Sequence, residues 1–224
     1  MTESARIAID GSSELSALFD APASPLACYV FGHGAGAGMA HPFMASVALG
    51  LAERGIATLR YQFPYMERGS RRPDVPKVAH AAVRAAVAEA ARRAPKLPLI
   101  AGGKSFGGRM TSQAQAASPL PGVAGLLFFG FPLHPAGKPS IERAQHLAGV
   151  KVPMLFVQGT RDELADAGLI EPTVEALRGT ATLQWVPDAD HSLHVPVKSG
   201  RTDAQVLDVA LDAACRWIER IVER

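Results

Sequence analysis

Cysteine is nearly absent from this chain: among 224 residues there are two, Cys28 and Cys215. That excludes a disulfide framework, and because one falls in a strand-like run and the other in a helix-like one, both read as small buried hydrophobes of a reducing compartment. Charge of one sign is also missing. The formal net charge is +2 and, apart from Arg68, Arg71 and Arg72 in what reads as a solvated loop, the basic residues are dispersed. No basic stripe remains to hold nucleic acid, and no nucleic-acid partner is expected. No apolar run approaches the ~18 residues of a membrane span, and the start Met1-Thr2-Glu3-Ser4-Ala5-Arg6 lacks a basic region followed by an apolar core. The expectation is a cytoplasmic protein with no membrane partner. Histidine and cysteine pairs at ligand spacing are lacking, so neither a metal nor an organic cofactor is implied. There are no internal repeats and no low-complexity stretches, which leaves a single domain over residues 1–224 with enough apolar residues for a sizeable core.

What is present is an alternation of strand-like and helix-like segments. Residues 5–20 alternate weakly around the turn Asp10-Gly11-Ser12-Ser13 and predict a hairpin at a sheet edge. Leu26 to Phe31 is a continuous apolar run, as in a strand covered on both faces. Met44, Val47, Ala48, Leu51 and Ala52 then recur at helical spacing up to Gly55, a C-cap residue, and Ala57 to Tyr61 is a further strand. Pro64 to Pro76 reads as a loop over one end of the sheet. Ala79, Ala82, Val83, Ala86, Val87 and Ala90 share one face of a helix over 77–93. Strands follow at 123–129, 152–157 and 181–186, with short helices near 141–148 and 169–178. The last helix opens on Thr202 and Gln205 at capping-box spacing and carries a stripe of Val206, Ala210, Ala213, Trp217 and Ile221. The pattern predicts an α/β fold: a mainly parallel, doubly wound sheet with helices on both faces.

The stretch from Leu97 to Arg109 carries the chemistry. An apolar strand runs into Gly103-Lys104-Ser105-Phe106-Gly107 and a helix follows at once, the strand-turn-helix context of a nucleophile elbow. Gly103 and Gly107 are expected where strand and helix close on each other. A serine hydroxyl needs a general base within hydrogen-bond reach, and the base needs an acid to fix its tautomer. Asp162 directly follows the strand ending near Val157 and is the preferred acid, with Glu163 and Asp166 competing. Of seven histidines only His191 and His194 lie beyond it, both in the loop before the last helix. His191, nearer the strand, is preferred as base. Asp190 is too close in sequence to orient it. For the oxyanion, the Phe106 amide is one candidate donor and the Ala35 amide, in the glycine-rich loop Gly32 to Gly38, is the other. His33 is expected to brace that loop. Whether His194, Arg109 or the 64–76 loop touches substrate is left open.

The same loop formally fits a relaxed dinucleotide fingerprint, Gly32-x-Gly34-x-x-Ala37, but the following strand ends in Tyr61-Gln62-Phe63 with no acid for a ribose hydroxyl. With these residues in place the chain resembles the α/β-hydrolase superfamily, in particular small dienelactone-hydrolase-like proteins. It is similar to a set of predicted hydrolases marked by Gly32-His33-Gly34-Ala35-Gly36, Phe63-Pro64-Tyr65-Met66-Glu67, the elbow through Arg109, Phe131-Pro132-Leu133-His134-Pro135 with Gly137-Lys138-Pro139, and Gln158-Gly159-Thr160-Arg161-Asp162. The likeness runs from about Tyr29 to Trp217. It implies the α/β-hydrolase fold and a triad of Ser105, Asp162 and His191. Dienelactone hydrolases use a cysteine where Ser105 stands, so their substrate is not carried over. Hydrolase-like domains of an animal histone-acetyltransferase-complex subunit and of a testis-expressed protein are similar too, which makes a non-catalytic interaction module the alternative. Between Gly130 and Val150 there is room for one short helix and no large lid. That favours an open site and a small or medium acyl ester or thioester as the small-molecule substrate; the oligomeric state cannot be read.

Overall fold

A computed structural model of the chain describes residues 2–9, 13–177 and 179–223. Its frame is one eight-stranded sheet. At the edge, β1 (Thr2–Ala8) and β2 (Glu14–Asp20) form the antiparallel hairpin that the weak alternation requires. The turn residues Asp10, Gly11 and Ser12 lie outside the described residues. Then come β3 (Ala27–Gly32), β4 (Ile56–Tyr61), β5 (Leu99–Lys104), β6 (Val123–Phe129), β7 (Met154–Gly159) and β8 (Ala181–Val186), in the spatial order β1-β2-β4-β3-β5-β6-β7-β8. β2 pairs with β4 antiparallel, and every pairing from β4 to β8 is parallel.

The helices are α1 (Pro42–Glu53), α2 (Pro64–Glu67), α3 (Pro76–Arg93), α4 (Phe106–Ala117), α5 (Ala167–Glu175) and α6 (Asp203–Val222), with a 3₁₀ helix at Glu142–Gly149. Every residue of β3, β4 and β5 is buried, because helices cover both faces and each side chain finds apolar cover whichever way the pleat turns it. Tyr29, Phe31, Ile100, Leu127 and Phe129 pack with α1 and α6. Their strand neighbours Cys28, Val30, Ala101, Leu126 and Phe128 pack on the opposite face with α3, α4 and α5. The α3 stripe is buried at Ala79, Ala82, Val83, Ala86, Val87 and Ala90. The Thr202–Gln205 capping box of α6 is present in both directions.

Some boundaries differ from the sequence reading. β7 begins at Met154, two residues later than expected, and runs to Gly159. Pro153 has no N–H for the ladder, and its carbonyl serves only as acceptor for Leu126 N at 2.8 Å. The stretch 64–76 is not all loop: Pro64, pre-set for a first helical turn, starts the short α2, and Asp74 then accepts from Tyr65 N at 2.7 Å. α5 spans Ala167–Glu175 rather than 169–178. In α6 Ile221 is only half-buried, and Ile218 fills the inner face near that end.

The chain leaves β3 for β4 on one side and returns to β5 on the other. This reversal opens a crevice beyond the carboxyl ends of β3 and β5, where the loops diverge. Between β6 and β7 the chain carries the 3₁₀ helix alone, and His134 ties this connection down: its Nε2 accepts from Asp166 N at 3.1 Å. No lid covers the crevice among the described residues. No described helix is long and apolar enough to cross a membrane.

Candidate active site

Ser105 stands where β5 turns into α4, with φ 50° and ψ −111°. A side chain rarely adopts this backbone, and it persists here because strand and helix are clamped together on either side of the turn. A Cβ on Gly103 would come within 2.4 Å of Gly32 O, and one on Gly107 within 2.2 Å of the same oxygen. Both positions therefore require glycine, for the reason anticipated from sequence. The clamp pushes the Ser105 side chain out at the sheet's carboxyl edge.

Asp162 arrives from the turn after β7, and His191 from the turn after β8. The structure brings them to Ser105: His191 Nε2 lies 2.9 Å from Ser105 Oγ, and His191 Nδ1 lies 2.7 Å from Asp162 Oδ2. A carboxylate can only accept, so Nδ1 carries the proton and Nε2 is left to accept from the serine hydroxyl. The Asp162 side chain is fully buried and His191 is 23% exposed. Glu163 and Asp166 form no hydrogen bond or ion pair with His191 among the described residues. Asp190 accepts from Ser192 N at 2.7 Å and His194 N at 3.0 Å, shaping the turn rather than the imidazole. His194 points away to Asp203, 2.9 Å from Nδ1, and that carboxylate raises its pKa.

Two residues that the sequence reading left without a role complete this arrangement. Gln158, the last polar side chain before Gly159 in an otherwise apolar strand, donates from Nε2 to Asp162 Oδ2 and accepts from Phe131 N at 2.9 Å. With Leu164 N donating to Oδ1 at 2.8 Å, the Asp162 carboxylate receives three donors. Lys104, next to the nucleophile, is buried and donates from Nζ to the His191 backbone oxygen. Burial pushes its pKa down to about 8, with Asp162 and Asp190 partly offsetting the loss of hydration. The sequence signal for both was a polar side chain inside a strand buried on both faces, which must find a partner there.

The glycine-rich loop after β3 runs beside the elbow: a Cβ on Gly34 would stand 3.9 Å from Ser105 Cβ. The Ala35 and Phe106 amides donate to no acceptor among the described residues. His33, fully buried, braces this loop by donating from Nδ1 to Gly34 O at 2.8 Å and accepting at Nε2 from Phe63 N at 3.0 Å. That acceptance needs a neutral ring, and burial holds its pKa at about 4, against about 6.5 for an exposed imidazole. The unfolded chain therefore binds a proton below pH ~6.5 that the folded one refuses, so stability drops as the pH falls from there to about 4, by about 3 kcal/mol from this residue. Urea unfolding across that range should show the loss, and His33→Gln, which does not titrate, should show a shallower one. Equal slopes would remove His33 from the account.

A cavity of about 370 Å³ opens on the α1 side of Ser105, walled by Ala35, Phe43, Met44, Lys104, Leu164 and His191. A larger groove of about 420 Å³ between α1 and α6 holds the Arg54–Asp208 ion pair and neither Ser105 nor His191.

The family described as "Alpha/beta hydrolase domain" matches residues 25–219. The chain belongs to that family. Among solved structures, this α/β hydrolase is similar to a dienelactone hydrolase from Anabaena variabilis, with 21% identity, 99% and 98% of the two chains covered and a TM-score of 0.77. It is also similar to an α/β serine hydrolase without lid from Xanthomonas campestris, with 22% identity over 96% and 94% of the chains and a TM-score of 0.75. The esterase domain of a Rhodothermus marinus protein matches at 16% identity over 99% of each chain, with a TM-score of 0.73. At such identities these likenesses show the fold, which is the α/β-hydrolase fold anticipated from the motifs.

Proposed function

We propose that this α/β hydrolase is a serine esterase that cleaves a small or medium acyl ester or thioester through an acyl-enzyme on Ser105. The observation that carries the reading is the unbroken hydrogen-bonded line from Ser105 Oγ through His191 to the buried Asp162. In this reading His191 Nε2 takes the hydroxyl proton as Ser105 Oγ attacks the acyl carbon. Asp162 holds the ring in the needed tautomer and stabilises the imidazolium. The tetrahedral oxyanion is met by the Ala35 and Phe106 amides, whose N–H groups have no other acceptor among the described residues. His191 then returns the proton to the departing alcohol or thiol, and a water activated by the same ring releases the acid. A cavity near 370 Å³ lies at the small end of the ~300–1,000 Å³ range of small-molecule sites, which supports a short or medium acyl group. The reading places the enzyme in the cytoplasm. Its two buried cysteines, with thiols raised to about 12 and about 11 by burial, suit a reducing compartment.

The test is pre-steady-state hydrolysis of p-nitrophenyl esters from acetate to decanoate. A burst of one p-nitrophenol per chain, followed by slower turnover that is fastest for shorter acyl groups, is expected. Folded protein with no turnover above its Ser105→Ala variant would favour the interaction-module reading instead.

Lys104 gives this reading a pH signature. A charged donor holds the His191 carbonyl more strongly than a neutral amine, so turnover should decline as pH rises through about 8. Lys104→Met should be slower by about 10- to 100-fold through misplacement of the base, with no decline in that range. A wild-type profile flat from pH 7 to 10 would dismiss the effect.

A further inference from the structure

Arg109 stands one turn beyond Ser105 on α4, and its backbone N donates to Ser105 O at 3.1 Å. α4 packs against α3 and the 3₁₀ helix, the Arg109 side chain interacts electrostatically with His80 of the one and with Arg143 and His146 of the other, and helical side chains lean toward the N-terminal end of their helix. There it has no anionic partner. No carboxylate pairs with Arg109 or Arg143 among the described residues, and Arg109 Nε is sealed from solvent without any acceptor.

The groups around it are basic as well. From α3 comes His80, whose Nε2 lies 3.3 Å from Gln113 Oε1, and from the 3₁₀ helix come Arg143 and His146, whose Nε2 lies 2.8 Å from Ser112 Oγ. Gln113 and Ser112 lie one turn beyond Arg109, and both imidazoles feel the charge of its guanidinium. Burial and the neighbouring Arg109 hold His146 at about 4, burial and nearby arginines lower His80, and burial together with Arg143 lowers Arg109. These shifts favour the neutral form of both rings, and Arg109 and Arg143 are near enough to repel each other, with no carboxylate paired to either among the described residues. Guanidinium groups are the side chains suited to forked recognition of carboxylate or phosphate, and a buried unspent donor costs free energy until an acceptor arrives.

We propose that Arg109, with Arg143 beside it, is an anion-binding subsite that receives a carboxylate or phosphate on the alcohol part of the substrate. This rests on the esterase reading of Ser105. The cavity that would take the acyl group is walled by Phe43 and Met44 of α1 and stops short of Arg109, which lies one turn into α4 from Ser105. A substrate centred on Ser105 with its acyl group in the cavity thus extends its other end toward Arg109. The preferred substrates are esters or thioesters whose leaving group is acidic.

The test compares kcat/KM for the butyrate ester of 4-hydroxybenzoate, which is anionic, with that for the butyrate ester of methyl 4-hydroxybenzoate, which is neutral. In the wild type the anionic:neutral ratio should decrease as salt is raised. In Arg109→Gln it should fall by about 10- to 100-fold, chiefly through KM of the anionic ester, and Arg109→Lys should recover part of it. A merely structural arginine would lower both esters alike and leave the ratio unchanged, which would overturn the subsite. If Arg109→Gln does not fold, Arg143→Gln supplies the comparison, with a smaller fall expected and an unchanged ratio again decisive against the proposal. Inorganic phosphate separates the sources of the anion. If it binds the wild type and not Arg109→Gln while the ester ratio stays the same, the site takes a free anion and the substrate assignment is wrong. Hydrolysis of both esters by Ser105→Ala would instead overturn the esterase reading itself.

Discussion

Ser105→Ala is expected to fold like the wild type and to lose about six orders of magnitude in ester turnover, since removing the nucleophile of a serine hydrolase leaves only binding and oxyanion stabilisation. The fold should not notice the change: among the described residues the hydroxyl hydrogen-bonds only to His191 Nε2, and the backbone strain at φ 50° remains with alanine. Ser105→Gly separates the two properties. Glycine adopts that backbone without a Cβ penalty, so this variant should be equally inactive and about 1 kcal/mol more stable than Ser105→Ala. Urea midpoints and turnover measured on the same preparations check both. Residual activity within tenfold of the wild type in either variant would place the nucleophile elsewhere.

Asp162→Asn is expected to lower turnover by about 10⁴-fold. The carboxylate accepts from Leu164 N, Gln158 Nε2 and His191 Nδ1. An asparagine offers one oxygen and one NH₂ group, so whichever way it is turned, a donor faces a donor. If the NH₂ faces the imidazole, the ring proton is driven to Nε2 and the ring can no longer accept from Ser105. If it faces Leu164, a buried amide loses its partner, at a cost of about 1–3 kcal/mol. Both activity and stability should therefore suffer. Glu163→Gln and Asp166→Asn should retain activity, since neither carboxylate bonds to His191 among the described residues. Steady-state kinetics on the three variants decide the matter, and an active Asp162→Asn beside an inactive Glu163→Gln would reassign the acid.

Most of the fold could be read from the sequence because its central strands are covered on both faces. Continuous apolar runs such as Leu26 to Phe31 have one stable home, and the helices between them show their buried stripes plainly, as α3 does with alanine and valine. The elbow was legible for a steric reason, since glycines at 103 and 107 announce a close approach that the structure places at Gly32 O. What escaped lies where a polar atom's partner is remote in sequence. Nothing near Lys104 reveals that its ammonium reaches a carbonyl 87 residues away, and Gln158 reveals its link to Asp162 only once the turn after β7 is closed. The late start of β7 has the same origin, since which carbonyl Pro153 presents to β6 depends on register and not on local pattern. The pairing of His191 rather than His194 with Ser105 was inferred from nearness to the strand. Asp190 is what turns the two apart in space, by accepting from the amides of Ser192 and His194.

Labelling the folded protein with a fluorophosphonate, followed by peptide mapping, bears most directly on the catalytic role given to Ser105. One label per chain is predicted, on the peptide containing Ser105, absent after Ser105→Ala and strongly slowed after His191→Ala. Label distributed over other serines, or no label on well-folded protein, would contradict it.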